Sequence, residues 1–511
     1  MSDGVGLATD VHEPDTGADR DAVTFLLRTP YGRNGSFDAV PETARYFTNL
    51  GHILVAQDVR GKFDSEGACD PFSQERKDGA DTVSWLAEQK WCTNKIVPIG
   101  ESYCGFTALM SASSGHTSVA AVMAGMTTSK IASDWLKCDD VFRLHLNADW
   151  ITMAFGFNGL PNTQPWSIDG WWSVEDIEQV DTGSANLRTL RALREAGTSQ
   201  NGDALLAGGL NERAAQRANA PLILWSGYWD PLVRGTIAEY RAAIAARPNQ
   251  AHHLELLSAD HLGNKWEAAL NKANEQSDRA SSLVRCYERN MPHLYAAIEP
   301  GQLARAPRVE YENQLGETFQ ARTWPPRKIG KSLVRFNENV TIPSPRSFPD
   351  LPDSGETFVW GSLAANYPSE NSVIARNDVV AYPFYADELT GELVLEGKVH
   401  WDNGTRVIAT VAQEQADGRM LRVVEGVASR DSNSEEHFQL ALGPACHEGI
   451  AHYELESQRP ARWWLILMQE HYPRYLPRAQ SHAWLAQHAN QGHKSIQNTE
   501  VTLLNLSLRV T

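Results

Sequence analysis

The stretch Lys95-Ile96-Val97-Pro98-Ile99-Gly100-Glu101-Ser102-Tyr103-Cys104-Gly105 constrains the fold of this chain more than any other. An apolar run leads into a glycine, a serine stands at the apex, and the small and apolar residues Phe106-Thr107-Ala108-Leu109-Met110 follow. That order predicts a buried strand, a sharp turn and a helix. Gly100 removes the side chain that would block a tight elbow. A serine at such an apex is exposed for attack but remains a poor nucleophile until a base takes its proton. The spacing is G-x-S-x-x-G, with Cys104 where a second glycine more commonly stands. Taken alone, the stretch has a second reading, in which Ser102 merely caps the following helix.

Partners for Ser102 lie downstream. In strand–turn–helix sites of this type the acid comes next in the chain and the histidine last. Pro221-Leu222-Ile223-Leu224-Trp225-Ser226-Gly227-Tyr228-Trp229-Asp230 reads as a buried strand ending in a loop aspartate. His253-Leu254-Glu255-Leu256-Leu257-Ser258-Ala259-Asp260-His261 reads as a second strand ending in a loop histidine. Both residues leave the carboxyl end of a strand, where open α/β sheets gather their sites. Ser102 would then attack a carbonyl, His261 would take its proton and return it to the leaving group, and Asp230 would orient His261. Asp260 adjoins His261, but neighbouring side chains on an extended loop diverge, so Asp230 is the preferred acid. His252 and His253 stand at the start of their strand, far from its carboxyl end. Asp230 could also cap a helix opening at Pro231, and the two roles are compatible. An oxyanion hole needs donors aimed at the carbonyl oxygen. One is the backbone amide of Tyr103, and the other comes from the early loop at residues 27–33.

Further stretches, in order along the first half, carry a resemblance. Val5-Gly6-Leu7-Ala8-Thr9-Asp10-Val11 is similar to an opening strand, and Arg28-Thr29-Pro30-Tyr31 to an R-x-P-Y motif. Gln57-Asp58-Val59-Arg60-Gly61 with Ser65-Glu66-Gly67 is similar to Q-D-x-R-G-x-x-x-S-E-G. Asp78-Gly79 through Trp91 is similar to the helix before the nucleophile strand, and Ser102-Tyr103 to an S-Y nucleophile pair. Together they resemble the cocaine esterase / X-Pro dipeptidyl-peptidase (CocE/NonD) family of α/β-hydrolases, which also holds α-amino acid ester hydrolases and glutaryl-cephalosporin acylases. The resemblance implies an α/β-hydrolase core with an inserted helical cap and a C-terminal all-β jelly-roll sandwich. It also implies that the Tyr31 hydroxyl is the second oxyanion donor, a role that suits a neutral phenol. The sequence departs from the family in two places. Gly227-Tyr228-Trp229-Asp230 replaces G-W-Y-D, and Leu257-Ser258-Ala259-Asp260 replaces the G-P-W-x that normally precedes the histidine. The second departure leaves open a non-hydrolytic or binding role.

Pattern changes divide the 511 residues. Residues 1–126 and 216–304 alternate short apolar runs with helical segments, which is α/β. Residues 127–215 lose the strand signals and gain tryptophans, as expected of a cap. Trp135, Trp150 and Trp166 there, with Trp229 beside Asp230, are the candidate substrate-contacting residues. The alternative for the cap tryptophans is that they pack the cap's own core. Residues 305–511 show strand alternation, clearest in Leu504-Asn505-Leu506-Ser507-Leu508-Arg509-Val510, and are assigned to the sandwich. The formal charge of −17 argues against nucleic acid and anionic membrane surfaces. The six cysteines, and the histidines at 471, 482, 488 and 493, lack metal spacing. The cysteines fit free thiols in a reducing cytoplasm, and the N-terminus has no signal pattern. No metal or organic cofactor is expected, because a serine–histidine–aspartate set supplies nucleophile, base and electrostatics. The expected partner is a small-molecule ester or, second, an amide, and the sequence leaves room for a homodimer. The reading is a serine hydrolase working through an acyl-enzyme, with X-Pro dipeptidyl-peptidase or amide acylase activity as the alternative.

Overall fold

The computed structural model describes residues 1–15, 17, 21–138, 141–143, 146–147, 150–151, 154, 192–193, 195–196, 199–263, 279–299, 308–326, 333–336, 339–342, 379–386, 388–400, 406–414, 418, 420–429, 435–448, 462–470 and 501–510. The chain divides into two compact units, one of Met1–Leu136 and Leu193–Thr323, the other of Lys137–Ala192 and Trp324–Thr511.

The first unit is built on a nine-stranded sheet. Its strands are β1 (Thr9–His12), β2 (Thr24–Thr29), β3 (Ile53–Asp58), β4 (Ile96–Glu101) and β5 (Val122–Gly125). After a short pair, β6 (Lys137–Cys138) and β7 (Val141–Phe142), which belongs to the other unit, come β8 (Leu222–Gly227), β9 (His253–Leu257), β10 (Val309–Glu312) and β11 (Thr318–Ala321). The order across the sheet is β1-β3-β2-β4-β5-β8-β9-β10-β11, parallel throughout except at its two antiparallel edge strands. Every residue of β2, β3, β4, β8 and β9 is buried, as in a parallel sheet covered on both faces. Helix α1 (Val40–Asn49) and the Arg279–Ile298 helix share a core with these strands, with Phe25 stacked on Phe47 at 3.8 Å and Tyr287 against both Phe47 and Trp225. Helix α2 (Glu75–Ala87) precedes β4, and α3 (Ser102–Ala112) follows it directly.

Strand order decides where a site can form. The chain runs outward from β2 to β3, then returns to lay β4 on the other side of β2. The carboxyl ends of β2 and β4 are therefore neighbours at the point where the order reverses, the usual place for a ligand in such sheets. Tyr31 leaves β2 and Ser102 leaves β4. Asp230 and His261 leave the adjacent strands β8 and β9.

The second unit contains two antiparallel sheets. One has the order β12 (Leu333–Arg335), β20 (Val501–Val510), β15 (Glu388–His400), β18 (Glu435–Glu448), with β13 (Val340–Ile342) also on β20. The other is β14 (Val379–Tyr385), β19 (Arg462–Glu470), β16 (Arg406–Glu414), β17 (Met420–Ser429). Val340, Leu395 and Leu440 from the first sheet share one core with Val407, Val423 and Trp463 from the second. This is a sandwich of jelly-roll type, in which the chain crosses between sheets at each step from β13 to β16 and from β17 to β20, with β16–β17 a hairpin within one sheet.

Two sequence expectations shift. The stretch assigned to the sandwich from residue 305 begins instead with β10 and β11, which extend the α/β sheet, and the sandwich unit starts at Trp324. Val309–Glu312 pairs in parallel with β9, a long-range contact that no local pattern states. In β20, Leu506, Leu508 and Val510 are buried as expected, whereas Leu504 is only partly so. Asn505 takes a left-handed φ of 52° and switches the buried parity to Leu503 and Val501 upstream, as a bulge does. Of the expected cap, residues 155–191 lie outside the described residues. Among the described residues no helix is long and apolar enough to cross a membrane.

His252 fastens the start of β8 to the start of β9. Its Nδ1 accepts the Leu222 amide at 3.2 Å, so Nε2 carries the hydrogen and donates to the Arg247 carbonyl at 3.1 Å. Burial pushes its pKa down to about 4. In the unfolded chain the imidazole titrates near ~6.5. Between these values the unfolded state binds the extra proton, so this contribution to stability is complete above pH ~6.5 and is lost as pH falls toward about 4. The expected loss is on the order of 2–3 kcal/mol. Urea titrations across that window check it: the unfolding midpoint of the wild type should fall more steeply with acidification than that of His252→Gln, and parallel slopes would refute the assignment.

Candidate active site

Ser102 is the first residue of α3 and has a left-handed φ of 58°. Such a conformation is strained for any residue but glycine, and it persists only where the surroundings over-determine it. Those surroundings are visible. Gly100 has a φ of 153°, and a Cβ there would lie 2.5 Å from that of Cys104. A Cβ on Gly105 would lie 2.8 Å from Cγ2 of Thr127 and 2.9 Å from the Gly125 carbonyl, so only glycine lets α3 seat this closely on β5. The missing second glycine of the commoner motif is thus supplied one residue later. The Thr127 hydroxyl donates to the Ser102 carbonyl at 2.8 Å, and the Trp225 indole N–H donates to Glu101 Oε1 at 2.6 Å.

Three side chains meet at this elbow. Asp230 Oδ1 accepts the Nδ1 hydrogen of His261 at 2.8 Å. That fixes the tautomer, so His261 Nε2 accepts the hydroxyl hydrogen of Ser102 at 2.9 Å. Asp230 is held in turn by the Ser226 hydroxyl on Oδ2 at 2.5 Å and the Leu232 amide on Oδ1 at 3.0 Å. The helix-capping role open to Asp230 is not taken up, because the helix begins at Val233 with Leu232 at its N-cap and no side-chain cap; the carboxylate instead accepts the Leu232 amide in the turn before it. Asp260 serves the backbone instead. Its Oδ1 accepts the Leu262 amide at 2.9 Å, closing the turn that carries His261.

The departure before His261 is absorbed by backbone. Tyr228 N–H donates to the Leu257 carbonyl at 3.0 Å and Trp229 N–H to the Ala259 carbonyl at 3.2 Å, joining the acid loop to the histidine loop. A Cβ on Gly227 would collide with the Ala259 carbonyl, so this glycine is required for the approach. Ser258 N–H donates to buried Glu312 at 3.2 Å.

On the other side of Ser102, Tyr103 opens the first turn of α3, where amides lack an intrahelical acceptor and form an anion-favouring end. Its buried phenol points inward, donating to Glu75 Oε1 at 2.8 Å and accepting the Phe72 amide at 3.1 Å. Glu75 Oε2 lies 3.1 Å from Arg28 Nη1. Burial raises the Glu75 carboxyl above its ordinary value, against the pull of Arg28. Burial and the adjacent Glu75 hold the Tyr103 phenol well above its own, so it remains a neutral donor. Tyr31 is half-buried, its amide donating to the Thr29 hydroxyl at 3.0 Å and its ring tilted against Phe37 at 4.7 Å.

Of the candidate tryptophans, Trp135 is 1% exposed and packs edge-on against Phe72, which itself touches Tyr103. Trp150 is equally buried, Trp229 is half-buried, and Trp166 lies outside the described residues. Sequence reasoning missed Glu75, Glu101, Ser226 and Thr127. A buried carboxylate or hydroxyl carries no spacing rule; the only hint was polar residues inside otherwise apolar strand-and-turn runs.

One group among the described residues has metal-ligand chemistry: His253, His293 and Glu310, with donor atoms within 4.8 Å of one another. The two imidazoles stack at 3.6 Å with planes 11° apart. An ion bound by a histidine lies near the plane of its ring, and two parallel planes this far apart cannot share one, so as stacked the pair is not a chelate. The group stands at the start of β9, the opposite end from His261. The late histidines 471, 482, 488 and 493 lie outside the described residues.

Known proteins resemble this chain to different extents. The family model for X-Pro dipeptidyl-peptidase (S15 family) matches residues 3–263, just over half of the chain. Over 133 residues the chain is 35% identical to the cocaine esterase of Rhodococcus sp. (strain MB1 Bresler), a stretch that makes up 26% of this chain and 23% of that enzyme. Among solved structures, an aminopeptidase from the marine sediment archaeon Thaumarchaeota archaeon superposes with a TM-score of 0.71 at 15% identity, covering 100% of this chain and 94% of that one. An α-amino acid ester hydrolase gives a TM-score of 0.68 at 17% identity, again covering 100% and 94%. At such identities these two likenesses speak for the fold. The matched region holds the whole elbow, the acid loop and the histidine loop, and on that ground the chain belongs to the X-Pro dipeptidyl-peptidase (S15) family of hydrolases.

Proposed function

We propose that this protein is a serine esterase that cleaves or transfers the acyl group of a small carboxylic ester through an acyl-enzyme on Ser102. The observation that carries this reading is the continuous hydrogen-bonded line Ser102–His261–Asp230, at 2.9 and 2.8 Å. His261 Nε2 takes the hydroxyl proton as Ser102 Oγ attacks the ester carbonyl. Asp230 stabilises the imidazolium that forms. The developing alkoxide is met by the Tyr103 amide and the Tyr31 hydroxyl. Collapse expels the alcohol, which takes the proton back from His261. Water or an acceptor alcohol then repeats the sequence on the acyl-enzyme.

An ester is favoured over a substrate held by its free amino group. Asp134, a carboxylate of the 127–215 region that could grip an ammonium, has its Oδ2 2.8 Å from Arg213 Nη1, which also lies 3.0 Å from buried Glu239, so it is engaged within the fold. Asp139 and Asp140, carboxylates of the same region, lie outside the described residues. The likeness to a cocaine esterase points the same way. The family's own name keeps X-Pro dipeptidyl-peptidase or amide acylase activity as the second reading. A non-hydrolytic role was suggested by the altered loop before His261, and the backbone bonds that join that loop to the acid loop weaken this alternative.

Three measurements test the reading. A fluorophosphonate probe should label wild-type protein and leave Ser102→Ala unlabelled; full labelling of the variant would remove Ser102 as nucleophile. Asp230→Asn should lower kcat on p-nitrophenyl esters on the order of 10³- to 10⁴-fold by reversing the histidine tautomer. Asp260→Asn, which keeps an acceptor for the Leu262 amide, should stay within about threefold, a change of well under 1 kcal/mol. Equal losses in the two variants would mean the acid has been misassigned. Finally, p-nitrophenyl esters should be turned over faster than X-Pro-p-nitroanilides, and the reverse order would establish the peptidase reading.

A further inference from the structure

The supports of the two proposed oxyanion donors converge on one buried carboxylate. Arg28 lies in β2, three residues before Tyr31, and Tyr103 lies in the first turn of α3. Between them stands Glu75, the first residue of α2. Its Oε1 accepts the Tyr103 phenol at 2.8 Å, and its Oε2 lies 3.1 Å from Arg28 Nη1. The three residues are 1%, 3% and 1% exposed, for Arg28, Glu75 and Tyr103 in turn. The guanidinium is fixed further by Gln57 Oε1 at 2.9 Å on Nε and by the Glu75 carbonyl at 3.0 Å on Nη1. Thr107 of α3 donates to the Arg28 carbonyl at 2.8 Å, a second tie between the same helix and strand. A buried charge that loses its partner is strongly destabilised, so such a network tolerates little displacement.

We propose that Glu75 is a positioning residue for the oxyanion hole: its carboxylate ties the strand that carries Tyr31 to the helical turn that carries the Tyr103 amide, and so fixes the separation of the two donors. The inference rests on Ser102 being the nucleophile. Glu75 touches no reacting atom. The two parts of Tyr103 have separate roles, with the amide turned to the substrate and the phenol serving as anchor. A ground-state ester tolerates a slack hole, whereas the alkoxide of the transition state requires both donors at hydrogen-bond distance. Loosening the anchor should therefore lower kcat and leave KM alone.

Tyr103→Phe and Glu75→Gln in the full chain test this. Steady-state kinetics on p-nitrophenyl acetate are paired with inhibition by phenylboronic acid, whose tetrahedral adduct with a serine mimics the alkoxide. The expected result for Tyr103→Phe is a kcat lower on the order of 10- to 100-fold, somewhat less than deletion of a donor. KM should stay within about twofold, and boronate affinity should fall by the same factor as kcat/KM. The double variant should lose no more than the worse single one, because both act through one contact. Tyr103→Phe keeps the ring and its packing against Phe72 and Phe106, so it decides the matter even where Glu75→Gln fails to fold. Folded Tyr103→Phe with kcat and boronate affinity within twofold of wild type overturns the proposal, whatever its unfolding midpoint. Ser102→Ala separates the two levels: retained ester turnover in that variant overturns the nucleophile assignment and this inference with it.

Discussion

The left-handed turn at Ser102 is the constraint on which the rest of the α/β unit depends. A non-glycine residue at φ 58° is held there at a local cost on the order of 1–3 kcal/mol. Glycine at 100 and 105 lets the strand, the turn and α3 close on themselves. Gly125 leaves room beside it for the Trp225 indole. That indole holds Glu101, the residue immediately before the serine, while Thr127 holds the serine's own carbonyl. The strain is thus offset by packing and hydrogen bonds from β5 and β8, not by anything in the elbow itself. The result is a Ser102 hydroxyl held at a fixed point, 2.9 Å from His261 Nε2.

The base side follows the same logic. Asp230 and His261 sit on loops leaving adjacent parallel strands, and the register of β8 against β9 puts those loops side by side. Backbone bonds between residues 228 and 257 and between 229 and 259 then join them. His252 makes the corresponding connection where β8 and β9 begin. Main-chain atoms carry the connection between the two loops. Asp260, which adjoins His261 in the chain, closes the turn there through the Leu262 amide.

Much of this was legible in the sequence because it is written in short-range chemistry. Gly100, Ser102 and the apolar run before them declare a strand and an elbow. Asp230 and His261 declare themselves by standing just past the ends of apolar runs. The α/β unit runs on past residue 305 because β10 joins β9, a pairing set by the fold and not by any local pattern. Asn505 reversed the buried face of β20 because a bulge is set by backbone conformation, and asparagine only permits it. Glu75 was invisible because its partners, Arg28 and Tyr103, lie 47 and 28 residues away and are joined only by the fold. The buried Trp135 and Trp150 illustrate the same limit, since a tryptophan's sequence position does not say whether its ring packs inward or meets a ligand.

Acyl transfer through Ser102 is the central claim. Rapid quench of the wild-type protein with p-nitrophenyl acetate, followed by peptide mapping by mass spectrometry, tests it most directly. The predicted result is a transient acetyl adduct on the peptide containing Ser102, formed together with a burst of p-nitrophenol and cleared as turnover proceeds. Steady ester turnover with the Ser102 peptide unmodified at every time point, and the adduct either absent or on another residue, would contradict it.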